Sequence, residues 1–184
     1  MTKQKYLALA EISERMDEDL ILVGGGAVEF YSDGWYVSGD LDIITTNRRK
    51  LASVLLELGY ERLSERHYLN GGIFIDIVGS YFDRRSDEIA IKGTGLSLRV
   101  ISLEDIILDR LCACVHWVSN TDCEQAGYLL SAFQNKLDMN YLMKRATEDE
   151  VLDKLEELLN EINAIKARTK KKPLIKPSKK TKNR

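Results

Sequence analysis

The sequence predicts an α+β fold of α/β-like character: a mixed β-sheet core flanked by helices, followed by a helical C-terminal subdomain. Three observations predict it. Up to residue 101, short apolar runs of strand length alternate with amphipathic stretches. Two glycine-rich turns, at Asn70–Gly72 and Lys92–Gly95, each join two strand-like runs. After Ser102 the apolar spacing turns helical and stays so to about residue 165. The 184 residues suit one domain with a small annex, and a chain of this length buries a core without staples. The expected division is a core over 1–101, a helical subdomain over 102–165 and a basic, disordered tail over 166–184.

The elements follow in order. Residues 3–17 place Tyr6, Leu7, Leu9, Ala10 and Ile12 at roughly helical spacing. "DLILVGGG" (19–26) reads as a short buried strand that stops at glycine, and "AVEFYSD" (27–33) as a helix opening at those glycines. "WYVSGDLDIIT" (35–45) returns to strand. "NRRKLASVLLELG" (47–59) is a helix that Asn47 can cap and Gly59 can end. "YERLSERHYLNGGIFIDIVGS" (60–80) and "EIAIKGTGLSLRVIS" (88–102) read as hairpins. The later helices have Ser102, Asp138 and Thr147 as candidate caps, with Asp105 three residues after Ser102.

Charge and cysteine usage narrow the class. The formal net charge is −2, but ten of the 27 Lys/Arg lie between Lys166 and Arg184, where there is no acid. Residues 1–165 therefore carry 17 basic against 29 acidic groups, a formal −12. A basic tail on an acidic body can meet phosphate groups or dock on the body itself. No run approaches 18 apolar residues, so no membrane span is expected. Cys112, Cys114 and Cys123 are an odd set in one region. They are expected to be buried thiols in a reducing, cytoplasmic setting.

The chemistry concentrates in two stretches. Residues i and i+2 of a strand share a face, so a strand through Asp40 and Asp42 points both carboxylates one way. Adjacent carboxylates repel and lose hydration, which a divalent cation between them offsets. Asp76 is a lone acid among Ile73, Phe74, Ile75, Ile77 and Val78 and needs a partner. A strand paired beside the first would bring it to the same cation. Gly24, Gly25 and Gly26 end a strand and open a helix, where backbone N–H groups make an anion site. Ser38 lies two before Asp40 and can touch a phosphate. A dinucleotide fingerprint fails at Glu29, which stands where the third glycine belongs, and no Gly-Lys-Ser/Thr follows for a P-loop.

The segments "LVGGGA" (22–27), "SGDLDII" (38–44) and "FIDIV" (74–78) together resemble the nucleotidyltransferase superfamily, whose fold is shared with DNA polymerase beta. The likeness is nearest to small prokaryotic members, including toxin nucleotidyltransferases of abortive-infection type. It extends through "SLEDIILDRL" (102–111) and more loosely "NTDCEQAGYLL" (120–130) to about residue 145. Leu103 and Asp109 replace a Pro and a Lys common there. The resemblance implies a nucleotidyltransferase core over 1–101. Asp40 and Asp42 would ligate two Mg²⁺ ions, with Mn²⁺ as an alternate, and Asp76 would ligate one of them and help deprotonate the acceptor hydroxyl. Gly24, Gly25 and Gly26, with Ser38, would hold the nucleoside triphosphate. The implied reaction moves a nucleoside monophosphate to a hydroxyl on tRNA, protein or a small molecule, with a toxin or antitoxin partner as the implied setting. A binding module of the same fold with weak catalysis is the alternative. Tyr31, Trp35 and Tyr36 are read as packing or loop anchors before base-stacking groups. His67 is read as a strand-surface residue and His116 as a packing residue.

Overall fold

A computed structural model describes residues 2–16 and 19–171. Its seven-stranded sheet has the order β3-β4-β5-β2-β1-β7-β6. The strands are β1 (Leu20–Val23), β2 (Leu41–Thr45), β3 (Glu61–Arg62), β4 (His67–Asn70), β5 (Ile73–Gly79), β6 (Ser86–Ala90) and β7 (Ser97–Ile101). The β1–β7 and β2–β5 pairs are parallel and the others antiparallel, so the sheet is mixed. The helices are α1 (Thr2–Ser13), α2 (Gly24–Tyr31), α3 (Arg48–Glu57), α4 (Leu103–His116), α5 (Asn120–Phe133), α6 (Met139–Glu148) and α7 (Leu152–Lys171). The α+β reading holds.

Burial follows the pleat. In β1, a central strand, all four residues are buried. In β2 burial alternates: Leu41, Ile43 and Thr45 face the core, while Asp42 and Ile44 face the other way and are only partly covered. Leu9, Ile12, Leu51, Leu55, Ile75 and Ile77 fill the core side, each at most 1% exposed. The half-covered face of β2 carries the candidate site.

Local signals explain most boundaries. Asn47 caps α3 by accepting from Lys50 N–H at 3.0 Å. Ser102 caps α4 and Asp138 caps α6. The β4–β5 turn runs through Gly71 and Gly72 at φ +56° and +81°, which glycine adopts freely.

Four details differ from the sequence reading. The segment 35–40 is not strand; it is a turn and loop whose backbone is held by a helix side chain instead of a sheet neighbour. Thr147 does not cap a helix: it lies inside α6, its hydroxyl donating to Met143 C=O at 2.9 Å. Helix α7 runs on to Lys171, so 166–171 are helical; the rest of the basic tail, 172–184, lies outside the described residues. Cys114 and Cys123 form a disulfide, with Cα atoms 4.8 Å apart, and Cys112 alone is a free thiol. The tight turn after α4, with Val118 at φ +55°, folds α5 back on α4 and sets residues nine apart face to face. Spacing within one helix carries no trace of that, and the premise of three unpaired thiols does not hold. Among the described residues no helix is long and apolar enough to cross a membrane.

Candidate active site

The β1–α2 junction answers why glycine is needed at residue 24. Gly24 has φ +58°, a left-handed conformation. A Cβ there would sit 2.1 Å from Asp42 Oδ2. Any other residue would therefore meet both backbone strain and a hard clash. The next amide, Gly25 N–H, donates to Asp42 Oδ2 at 3.2 Å. A Cβ on Gly25 would come within 2.9 Å of Ser38 Oγ. The glycine turn and the aspartates thus pack directly on one another.

Register brings the acids together. Val23 is opposite Asp42 in the antiparallel β1–β2 pair, and Asp42 is opposite Asp76 in the parallel β2–β5 pair. Paired residues share a face, so Asp42 and Asp76 project the same way. Asp40 comes from the loop one residue before β2, and Ser38 Oγ donates to its Oδ1 at 3.0 Å. Burial, then the charge of Asp40, pushes the Asp42 carboxyl from an ordinary 3.8 up to about 6, and Asp76 adds to the rise. The amide of Gly25 and the Arg110 guanidinium act in the opposite sense without cancelling it.

The loop that presents Asp40 is held from below. Glu29, 1% exposed on α2, accepts from Ser38 N–H at 2.6 Å. Lys5 of α1 donates to the same Glu29 Oε2 at 2.6 Å and to Ser38 C=O at 3.1 Å. A buried carboxylate and ammonium are costly unless fully bonded. Here both are spent on one loop residue. Sequence reading met Glu29 only as the residue that spoils a dinucleotide motif. A charged residue inside the apolar α2 run was the available signal.

Asp76 has a partner that sequence reading did not supply. Arg66 grips it with a two-point fork, Nε to Oδ1 at 2.6 Å and Nη2 to Oδ2 at 2.5 Å. His67 Nε2 lies 3.4 Å from Oδ1, so that residue faces the acid instead of only solvent. Among the described residues, no group of three His, Cys, Asp or Glu side chains is gathered as a ready metal cage. The donors still suit a hard cation in part. Asp40 and Asp42 are carboxylates whose mutual repulsion a cation would relieve, and each oxygen of Asp76 already accepts one bond from Arg66.

Asp42 and Gly24 line a cleft of about 530 Å³ between the sheet and α4. Its walls include Arg84, Asp109, Arg110 and the exposed ring of Trp117. Its size lies in the range of small-molecule sites. Asp40 and Ser38 line a smaller cavity of about 180 Å³, beside Lys5 and the Gly71–Gly72 turn. Arg110 is held by Asp109 and by Asp122 at 2.6 Å. The far wall is fixed by Asp105, 1% exposed, which accepts from Ser102 Oγ, Arg85 N–H and Tyr141 O–H at 2.8–2.9 Å. The aromatic residues near the glycines pack elsewhere. Tyr31 donates to Ile101 C=O at 2.8 Å, and Trp35 stacks on Tyr128 with centroids 4.0 Å apart. Neither lines the larger cleft.

A mixed sheet that sets a glycine turn against an Asp-x-Asp pair at the start of a strand, with a third acid on the neighbouring parallel strand, defines a nucleotidyltransferase-fold protein. The family comparison agrees in kind. The chain belongs to the family described as nucleotidyltransferase of unknown function (DUF6036), whose model matches residues 3–172. No curated protein matches the sequence. The fold is similar to an antigenic nucleotidyltransferase-like protein from Paracoccidioides brasiliensis, at TM-score 0.58 and 14% identity over 86% of this chain and 92% of that one. It is also similar to the antibiotic-resistance factor ANT(2'')-Ia, at TM-score 0.50 and 18% identity over 92% and 93% of the two chains. The same protein in complex with adenylyl-2''-tobramycin gives TM-score 0.50 and 17% identity, over 90% of this chain and 98% of that one.

Proposed function

We propose that this protein transfers a nucleoside monophosphate from a nucleoside triphosphate to an acceptor hydroxyl, in a reaction that depends on a divalent cation. The observation that carries the reading is the contact of the glycine turn with Asp42, beside Asp40 and in register with Asp76. Asp40 and Asp42 would hold the cation, Mg²⁺ or Mn²⁺. Such an ion supplies charge stabilisation to an in-line displacement at phosphorus. The chain's own residues do the rest. The Gly24–Gly26 turn lets phosphate oxygens approach the backbone at the α2 N-terminus. Ser38, tied to Glu29, fixes the Asp40 carboxylate by its hydroxyl. The cleft walled by Arg110 and Trp117 has room for the nucleoside.

The acceptor is a hydroxyl on tRNA, on a protein or on a small molecule, and a toxin–antitoxin setting is one in which such a transferase would act. The test uses the full chain with each α-³²P-labelled triphosphate in turn, Mg²⁺ and a cell extract. One class of molecule should become labelled, and Asp42→Asn should abolish the label while the protein stays folded. No labelling with any triphosphate overturns the enzymatic reading. The occupation of Asp76 by Arg66 favours a second reading, a binding module of this fold with weak catalysis. That reading expects triphosphate binding without labelling.

A further inference from the structure

We propose that Arg66 does the work of a second cation, so that the site takes one divalent ion, on Asp40 and Asp42, and not two. The inference rests on the proposed nucleotidyl-transfer reading and concerns how that site balances its charge.

Arg66 is built into place. Its C=O accepts from Ile77 N–H at 2.9 Å, one residue along from Asp76 on β5. Its own N–H is held by Ser64 Oγ at 3.2 Å. The backbone therefore fixes the Arg66 main chain beside β5, within reach of Asp76. The fork then uses both carboxylate oxygens. A guanidinium cannot give up its proton, and paired charged hydrogen bonds are among the strongest in proteins. The fork leaves a second lone pair on each Asp76 oxygen, but an ion arriving there would meet the fixed charge of Arg66 beside it. Like charges a few ångströms apart in a part-buried site repel strongly.

Charge counting points the same way. Asp40, Asp42 and Asp76 against Arg66 leave a formal −2, which one divalent ion neutralises. In the nucleotide-free site a second ion would overshoot that balance, and an ion entering with the triphosphate would still meet Arg66 at Asp76. Arg66 is half exposed, at 49%. Asp76 is then the anchor of a fixed cation, and Arg66 is a positioning residue for the acid cluster.

The test counts ions. The full chain is titrated with Mn²⁺ in the presence of each of the four α,β-methylene nucleoside triphosphates in turn, and free Mn²⁺ is read by electron paramagnetic resonance. The count is taken on the analogue that binds most tightly. The wild type should hold one Mn²⁺ per protein–nucleotide complex. Arg66→Met should hold two, and Arg66→Lys, which keeps the charge, should stay at one. Circular dichroism establishes that the variants are folded; if Arg66→Met is not, the wild-type and Arg66→Lys counts decide. Two ions on the wild type or on Arg66→Lys, or one on folded Arg66→Met, overturns the inference and leaves nucleotidyl transfer standing. No ion on any protein overturns both.

Discussion

Asp42→Asn should make the folded protein more stable at neutral pH while destroying the site. The folded carboxyl titrates near 6 against 3.8 for an ordinary aspartate. Folding therefore favours the protonated acid. Stability associated with Asp42 is full below about pH 3.8 and is lost as pH rises through about 6. The rise corresponds to about 3 kcal/mol at most. Because Asp42 is partly exposed, solvent screening reduces that to roughly 1–3 kcal/mol. Asparagine removes the charge and keeps an oxygen to accept from Gly25 N–H. The assay is urea unfolding of both proteins with a chelator present, at pH 4, 5, 6 and 7.5. The variant's advantage should be near zero at pH 4 and largest at 7.5, where the melting temperature should rise by about 2–4 °C per kcal/mol. A variant no more stable than the wild type at pH 7.5, or one whose advantage ignores pH, would refute the reasoning.

Gly24→Ala should abolish nucleotide binding and lower stability by at least 1–3 kcal/mol, roughly the cost of strained backbone alone, since its Cβ would fall 2.1 Å from Asp42 Oδ2; equilibrium unfolding and a fluorescent-nucleotide titration check it. Glu29→Gln leaves the part-buried Lys5 without a carboxylate and should cost at most about 3–5 kcal/mol. The protein that remains folded should need more Mg²⁺ for half-maximal transfer, a shift that a merely structural role would not produce. Reduction of Cys114–Cys123, nine residues apart, should lower stability by about 2–3 kcal/mol through the unfolded chain's entropy. Thermal melts with and without a phosphine reductant, and on Cys123→Ser, measure it.

The parts of the fold that announce themselves in sequence are those with local causes. Asn70-Gly71-Gly72 makes a hairpin because those residues accept positive φ, and the pleat of β2 can be read from Leu41, Asp42 and Ile43. The glycine turn and Asp42 were readable for the same reason, since both belong to short regular stretches. Asp40 was assigned to the strand, but the loop before it is held by Glu29, whose reach to Ser38 no alternation rule expresses. Arg66, in the bend before β4, and Asp76 on β5 are ten residues apart, and their meeting depends on that bend together with the β4–β5 register. The Cys114–Cys123 bond depends on how two helices fold back on each other. In each case the missing information was a contact between elements, not a property of either one.

The ammonium group of Lys5 carries a practical consequence. It comes from the first helix, yet it braces the loop that presents Asp40, more than thirty positions along the chain. Trimming the amino end past that residue, or fusing a bulky tag that pulls the first turn loose, would blunt catalysis from a distance. Activity lost in such a protein would be regained by restoring the helix, with no change to the acids themselves.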